Sequence, residues 1–310
     1  MERRNFLKQN MLATGALLGS TGLFASKHTI GIKNNSSLDN ASPFKCNYAI
    51  HDGMFRNTAG PDFIEQIKYA HSMGFRSIED NGMMSRTPEM QQKIGDTLAS
   101  LGMSMGVFVI AFSINDKINL TTGSQEWKDK FVQTCKESVE VAKRCNAKWM
   151  TVVPGNFDRK LPIDIQTGNV IEGLRPGAEI LEKNNLIMVL EPLSDTPELF
   201  LRHSDQTYAI CKAVNSPSCK ILFDMYHMQK NEGNIINNIN RCWNEIAYFQ
   251  IGDNPGRNEP GTGEMNYKNI FKHINSKGYK GILGMEHGNA IKGVEGEAAL
   301  IKAYRDADSF

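Results

Sequence analysis

The chain has 310 residues, of which 40% are hydrophobic and 22% are charged. This composition is typical of a folded globular protein and excludes collagen, coiled coil and disorder as its main state. Its 35 Lys and Arg residues against 34 Asp and Glu residues give a formal net charge of +1, so we do not expect the basic surface of a nucleic-acid-binding protein. No two of the six cysteines have C-x-x-C spacing, which leaves zinc-ribbon and thioredoxin-like sites without support.

Residues 1–26 are predicted to form an export signal. Arg3 and Arg4 open the string RRNFLK, and a short apolar stretch interrupted by glycines follows as far as Ala25. The stretch is too short for a membrane span, and the paired arginines resemble a twin-arginine signal; a frayed amphipathic N-terminus is the alternative. A linker is predicted over residues 27–43, whose second part is rich in Asn and Ser. We therefore expect a periplasmic or otherwise exported protein with no stable membrane insertion after signal removal.

Eight short apolar runs follow between residue 44 and the C-terminus. They do not alternate polar with apolar residues, which indicates strands buried on both faces of a parallel sheet. They begin at intervals of about 30 to 45 residues, the spacing of βα units, at residues 46, 76, 103, 148, 186, 219, 246 and 281. Eight such units predict an α/β fold, a single-domain (β/α)8 TIM barrel over residues 44–310. The alternative, a doubly wound open sheet, would be favoured by a G-x-G-x-x-G turn after the first run, which residues 49–57 lack.

The amphipathic segments between the runs are predicted to be helices. Residues 61–74 and 87–102 each have Pro near the start and Gly at the end, as helices often do. Residues 124–145 form the longest segment and show a clear 3.6-residue period. The remaining predicted helices cover residues 173–185, 204–214, 235–242 and 266–278.

Polar side chains lie at the ends of four consecutive runs. Glu191 ends the fifth, Asp224 ends the sixth, Gln250 lies in the seventh and Glu286 ends the eighth. The C-terminal ends of TIM-barrel strands meet at the face that carries the active site. A single acid at such an end is often only a helix cap or a rim ion pair, but four oxygen donors in a row indicate a buried cluster that needs a cation. This all-oxygen set predicts a divalent metal ion, Mg²⁺ or Mn²⁺.

Further polar residues are expected around the same mouth. His227 follows Asp224 by three residues, which places it one turn later and facing the same way. Arg257 lies in a polar loop after the seventh run, where two hydrogen bonds from its guanidinium suit a substrate hydroxyl or carboxylate. His51 and Asp52 follow the first run and are expected on the opposite wall.

Four strings in the second half of the chain resemble the hydroxypyruvate isomerase branch of the xylose-isomerase-like TIM-barrel sugar isomerases and epimerases. They are LEPLS (190–194), FDMYHMQKNEGN (223–234), YFQIGDNPGRNEPGTGEMNY (248–267) and GMEHG (284–288). The βα rhythm extends the resemblance over most of the predicted barrel. The end of the second run, IEDNG (78–82), does not match the family's pattern.

The resemblance implies roles for the strand-end residues. Glu191 and Glu286 resemble the two catalytic glutamates of the family, which exchange a proton with carbon on either side of an enediolate. Asp224 and Gln250 complete the divalent-metal set with these two glutamates. The implied cofactor is therefore a divalent metal ion, most simply Mg²⁺ or Mn²⁺.

The resemblance also implies that His227 and Arg257 hold the substrate's oxygens. The implied activity is aldose–ketose isomerisation of a small carbohydrate or keto acid, with metal assistance. The export signal favours an alternative with the same enolate chemistry, an exported epimerase or lyase acting on keto-sugars or keto-glycosides. A non-catalytic sugar-binding barrel is a further alternative, whereas a phosphodiesterase on this barrel would need more His ligands and a basic groove. The sequence leaves open whether the chain forms a homo-oligomer.

Overall fold

Parallel strands form the centre of the fold in the computed structural model, which describes residues 41–112 and 119–310. The strands are β1 Asn47–Ile50, β2 Ser77–Ile78, β3 Ser104–Met105, β4 Val107–Phe112, β5 Trp149–Val153, β6 Ile187–Leu190, β7 Cys219–Asp224, β8 Ile246–Gln250 and β9 Ile282–Gly284. Within the described residues they pair in parallel in the order β3-β2-β1-β9-β8-β7-β6-β5-β4. This nearly closed barrel confirms the predicted TIM-barrel fold and excludes the doubly wound alternative.

All eight predicted runs contain strands, and the third run is divided at Gly106. The Gly106 N–H donates to the carbonyl oxygen of Ile78 at 2.7 Å. A Cβ at Gly106 would overlap the hydroxyl of Tyr248 and lie 2.8 Å from the Ile78 carbonyl oxygen. Glycine therefore lets the chain pass close to its neighbours between β3 and β4, so that one βα unit contributes two short strands.

Helices follow the strands, and most of the predicted ones are confirmed. The described helices are α1 Arg56–Ala59, α2 Phe63–Ser72, α3 Pro88–Leu101, α4 Gln125–Cys145, α5 Ile163–Glu182, α6 Ser204–Val214, α7 Met225–Asn231, α8 Ile235–Cys242, α9 Tyr267–Ser276 and α10 Gly293–Ala307. The helix α3 shows the expected end signals, with Thr87 accepting from the Met90 N–H and Gly102 in the left-handed conformation. None of the described helices is long and apolar enough to cross a bilayer.

The predicted start of one helix is wrong. The sequence predicts that the segment 173–185 begins at Gly173, but α5 begins ten residues earlier, at Ile163. The first half of α5 buries Gln166 rather than a full apolar stripe, because the Gln166 side chain bonds the backbone of Asp158 and Leu161. Because a polar residue occupies a buried position, the hydrophobic pattern alone does not show the 3.6-residue period in this half of the helix.

The N-terminal segment lies mostly outside the described residues. The predicted signal 1–26, and the linker as far as residue 40, belong to that part. The last linker residues contact the barrel, since the Ala41 N–H donates to the Ser72 carbonyl oxygen at 2.9 Å and Arg305 donates to the Ser42 carbonyl oxygen at 2.7 Å. Contacts with the barrel therefore extend a few residues before the predicted boundary at residue 44.

The inside of the barrel is a packed apolar layer. Side chains from alternate positions of six strands form one buried cluster there, made of Ala49, Val107, Val189, Leu222, Tyr248 and Ile282. A larger cluster fills the space around the strands and includes the inward faces of the helices. Each fully buried Val, Leu or Ile side chain in such a core stabilises the fold by about 1.5–3 kcal/mol. The inner layer closes the barrel below the strand ends and gives the site a floor.

Candidate active site

The inward-facing positions change from apolar to polar over two residues at the C-terminal ends of the strands. Since side chains alternate along a strand, residues two apart share a face. The pairs are Val189 with Glu191, Leu222 with Asp224, Tyr248 with Gln250, and Ile282 with Gly284 and Glu286. The structure thus brings the four strand-end residues predicted from the sequence to one mouth of the barrel.

A cavity of about 630 Å³ opens at this mouth. Four of the six predicted site residues line it, namely Glu191, His227, Arg257 and Glu286. The other two, Asp224 and Gln250, are buried, with 0% and 1% of their surface exposed. Asn81, from the turn after β2, adds an amide to the wall. The site therefore has two partly exposed charged groups, Arg257 and Glu286, and buried polar groups packed behind them.

The carboxylates of Glu191, Asp224 and Glu286 are close enough that the charge on one raises the pKa of another. Burial, together with the charges of Glu286 and Asp224, raises the pKa of Glu191 well above its ordinary range. Burial raises the pKa of Glu286 to about 7, although Arg257 opposes the shift. A pKa near neutrality suits a group that must both take and give a proton.

Arg257 is a cation placed between two of these acids. Its Nη2 donates to Asp224 Oδ2 at 3.1 Å and to Glu286 Oε2 at 3.0 Å, and its Nε donates to the Glu286 carbonyl oxygen at 3.1 Å. The guanidinium carbon lies 4.9 Å from the centre of the Tyr226 ring, which supports it from the side. Burial lowers the pKa of Arg257, but Asp224 and Glu286 more than offset this and raise it, so the side chain stays charged.

Hydrogen bonding assigns the proton of His227 to Nε2. The Ser194 backbone N–H donates to Nδ1 at 3.2 Å, and the Ser194 hydroxyl lies 2.8 Å from the same nitrogen. A nitrogen that accepts from an N–H carries no proton in the neutral ring. Burial lowers the pKa of His227, which keeps the ring neutral. Its Nε2–H is therefore available to donate to a substrate oxygen, the role that the resemblance implies.

The donor atoms fit a divalent metal ion. Single ligand atoms of Glu191, Asp224 and His227 lie within 4.8 Å of one another. The Gln250 amide oxygen is buried and has no hydrogen-bond partner in the described part of the chain, an arrangement that costs about 1–3 kcal/mol. A cation between this oxygen and the acids would remove that cost. Because the His227 Nε2 carries a proton in this arrangement, Glu191 and Asp224 would supply the oxygen ligands of this group, and Gln250 pairs in register with Asp224 on the next strand.

Two residues of this centre were not assigned a role from the sequence. Glu79 is completely buried, and its Oε2 accepts from Gln250 Nε2 at 3.2 Å. Asn81 Nδ2 donates to Glu286 Oε1 at 2.7 Å. Glu79 carries the signal that identified the other acids, because it ends an apolar run, but its segment lies outside the strings that carry the resemblance.

His51 and Asp52 lie at different places rather than on one shared wall. His51 turns inward, and its Nε2 lies 2.6 Å from Glu79 Oε2. Asp52 accepts from Arg86 Nη2 at 2.9 Å and is exposed. The first strand therefore contributes one residue to the buried polar cluster and one to the rim.

Comparison with known proteins assigns the family. Residues 67–304 match the family described as "Xylose isomerase-like TIM barrel". The chain belongs to this family. The match covers most of the barrel, including Glu79, Glu191, Asp224, Gln250 and Glu286, and begins after the first strand.

Relatives of this xylose isomerase-like barrel are named as isomerases. Hydroxypyruvate isomerase of Escherichia coli is 38% identical over 120 residues, which is 38% of this chain and 46% of that protein. The putative hydroxypyruvate isomerase of Homo sapiens is 26% identical over 263 residues, 78% of this chain and 89% of that protein. The 2-oxo-tetronate isomerase of Cupriavidus necator is 34% identical over 119 residues, so each of the two bacterial matches spans less than half of its protein. These names support the predicted class of enzyme.

Solved structures share the barrel at lower identity. A family 2 AP endonuclease from Brucella melitensis has a TM-score of 0.71 and 21% identity, covering 83% of this chain and 98% of that one. A 3-keto-D-glucoside 4-epimerase from E. coli has a TM-score of 0.69 and 15% identity, covering 86% of this chain and all of that one. At these identities the likeness shows the fold alone.

Proposed function

We propose that this isomerase interconverts the aldose and ketose forms of a small sugar or keto acid, as a hydroxypyruvate isomerase does. The observation that carries the proposal is the pair of glutamates with raised pKa values, Glu191 and Glu286, at the mouth of one cavity. The names of the bacterial and human relatives support the same reaction class.

The two glutamates supply the proton transfers. One of them removes the proton from the carbon next to the carbonyl group, the other returns a proton to the former carbonyl carbon, and the hydroxyl proton passes from one substrate oxygen to the other. The pKa of Glu286, raised to about 7, lets this group take and give a proton near neutral pH, and burial raises the pKa of Glu191 in the same direction. A positioned acid or base of this kind contributes about 10²–10⁴-fold to the rate.

Arg257 and His227 act on the substrate's oxygens. Negative charge develops on these oxygens when the proton leaves the carbon, and a guanidinium and an imidazole N–H placed beforehand stabilise it. Ser194 keeps the His227 N–H pointed towards the acids and the cavity. Asn81 and Arg257 each bond a different oxygen of Glu286 and so fix the orientation of this carboxylate.

A divalent metal fits the proposal. Glu191, Asp224, Gln250 and Glu286 would hold Mg²⁺ or Mn²⁺, which when bound supplies Lewis-acid polarisation of the substrate's oxygens. Asp224 is fixed for this task, because its other oxygen caps α7 by accepting from the Tyr226 N–H at 2.7 Å. Its Oδ2 accepts from Arg257 Nη2 at 3.1 Å and lies 3.5 Å from His227 Nε2.

An exported epimerase or lyase acting on keto-sugars or keto-glycosides is a second candidate. A cavity of about 630 Å³ is much larger than a three-carbon keto acid fills. The predicted export signal agrees with a substrate from outside the cytoplasm. The same two glutamates would serve this reaction, which also removes a proton next to a carbonyl group.

Turnover by purified protein tests both candidates. Hydroxypyruvate, four-carbon keto acids, free ketoses and keto-glycosides should be offered to protein stripped of metal and to protein reloaded with Mg²⁺ or Mn²⁺. We expect metal-dependent interconversion of one substrate class and none by Glu191→Gln. Binding of sugars without turnover of any of them would instead support a non-catalytic barrel.

A further inference from the structure

The buried carboxylate of Glu79, which is not one of the proposed metal ligands, contacts the side-chain amide of Gln250. Glu79 Oε2 accepts from Gln250 Nε2 at 3.2 Å and lies 2.6 Å from His51 Nε2. Glu79 and Gln250 are both shielded from solvent, with 0% and 1% of their surface exposed. Because Glu79 Oε2 accepts from the amide nitrogen, the NH₂ end of the Gln250 amide is the end that faces Glu79.

We propose that Glu79 is a positioning residue that turns the amide oxygen of Gln250 towards the metal centre. This inference rests on the proposed function, because it assigns a task to Gln250 within the metal set. With the NH₂ group held by Glu79, the amide oxygen faces away from Glu79, and it is a buried acceptor with no partner among the described residues. The opposite orientation would set two oxygen lone pairs against each other at the Glu79 side.

Glu79 is one of two possible sets of acceptors for the NH₂ group of Gln250. The carboxylates of the metal centre also attract an N–H donor, and an amide turned towards them would offer a metal nothing to bind. His51 helps Glu79 to hold its place, since it contacts the same Oε2 atom from the end of β1. The result is a polar cluster from the ends of β1, β2 and β8 behind the ligand set.

The barrel leaves room for Glu79 by placing glycines opposite it. A Cβ at Gly284 would overlap both oxygens of the Glu79 carboxylate, and a Cβ at Gly106 would lie 3.0 Å from Glu79 Cγ. Gly284 is the β9 residue that pairs with Gln250 in register. The backbone around Glu79 is therefore shaped to receive a carboxylate beside Gln250.

Binding of Mn²⁺ to the metal-free protein tests the proposal without using activity. The free ion is measured by electron paramagnetic resonance in a titration of wild type and variants, with melting temperatures as a check on folding. We expect Glu79→Gln to weaken Mn²⁺ binding about 10- to 100-fold, the usual effect of losing a partner behind a metal ligand. Glu79→Asp keeps the charge but shortens the reach, and should also weaken binding.

Combined variants separate an effect through Gln250 from a general one. In a Gln250→Ala background Glu79→Gln should cause no further loss, because the amide that it orients is gone. The exchange variant Glu79→Gln with Gln250→Glu should regain most of the affinity, since the new amide can donate to the new carboxylate and leave it an oxygen for the metal. The matched control is Glu245→Gln, which removes a buried glutamate that precedes β8 and pairs with Lys220, and should leave affinity unchanged.

The outcomes distinguish the positioning role of Glu79 from the existence of the metal centre itself. Wild-type affinity in Glu79→Gln and Glu79→Asp would overturn the positioning role while the metal centre stands. An equal loss in the Gln250→Ala background would also overturn it, because Glu79 would then act by another route. Failure of the wild-type protein to bind Mn²⁺ at all would overturn the metal centre and this inference together.

Discussion

At the scale of single residues, Glu286 accepts a hydrogen bond on each of its two carboxylate oxygens. Asn81 donates to one of its oxygens at 2.7 Å, and Arg257 donates to the other at 3.0 Å. Burial nevertheless raises its pKa to about 7, so the hydrogen bonds orient the carboxylate without making it a strong acid. A fixed group that ionises near neutral pH is what reversible proton transfer to carbon requires.

The stability of the metal-free protein should depend on pH through Glu286. Its pKa of about 7 in the fold lies above its ordinary 4.5, so the folded protein holds a proton that the unfolded chain releases between these values. The contribution of Glu286 to the free energy of unfolding should be most favourable below pH 4.5 and should fall as the pH rises to about 7. Urea unfolding across this range should show a shallower fall for Glu286→Gln, and identical slopes in both proteins would contradict the assigned pKa.

Replacing Arg257 should affect both substrate binding and the acids around it. Each charge-assisted hydrogen bond contributes about 1.5–3 kcal/mol, so Arg257→Ala should raise KM about tenfold to a hundredfold. The metal-free variant should also melt at a lower temperature, because buried Asp224 loses its cation. Steady-state kinetics and thermal unfolding measure the two effects. Arg175→Ala, which removes an exposed arginine bonded to the Ala213 carbonyl oxygen, is the control that should change neither.

At the scale of elements, strand ends were easier to predict than turns and helix starts. The two-residue step from Leu222 to Asp224 and from Tyr248 to Gln250 is visible in the sequence, because strand periodicity fixes which side chains share a face. The division of the third run was not predictable, because it depends on the long-range approach of other strands to Gly106. The early start of α5 was hidden by a buried glutamine.

Site residues that a single strand end reveals could be predicted from the sequence. Contacts between segments that are distant in the chain could not. Glu191, Asp224 and Glu286 each stand out as an acid after an apolar run. The contact of Glu79 with Gln250 joins residues 171 positions apart, and no local pattern predicts such a pair. The proton position on a site histidine likewise depends on a serine that is 33 residues away in the chain.

Two glycines of the barrel should respond in opposite ways to the same substitution. Gly106→Ala forces a methyl group against Tyr248 and the Ile78 carbonyl oxygen, so we expect a loss of about 1–3 kcal/mol in the free energy of unfolding. Gly168 lies within α5 with no other atoms in reach of an added Cβ, so Gly168→Ala should stabilise by about 0.5–1 kcal/mol. Urea unfolding measures both, and a Gly106→Ala variant as stable as wild type would show that the strand break is not sterically required.

At the scale of the whole molecule, the N-terminal segment gives a separate prediction about location. We propose that residues 1–26 direct export by the twin-arginine route, which carries folded proteins and so suits an enzyme loaded with metal beforehand. Replacing Arg3 and Arg4 by Lys should hold the protein in the cytoplasm, as judged by cell fractionation beside the wild-type chain. Unchanged export of the double variant would argue against this route.

The central claim is that two glutamates move a proton to and from the substrate carbon, and solvent deuterium tests it most directly. If one glutamate removes a proton and the other delivers one, product formed in D₂O by the wild type should carry deuterium at the newly protonated carbon. Glu286→Gln should lower kcat at least about 10²-fold and lower deuterium uptake with it. Product without deuterium would contradict delivery of a proton by a second glutamate, because a direct hydride shift or return of the same proton by a single base leaves the product unlabelled. Full turnover and full uptake by Glu286→Gln would equally contradict the account.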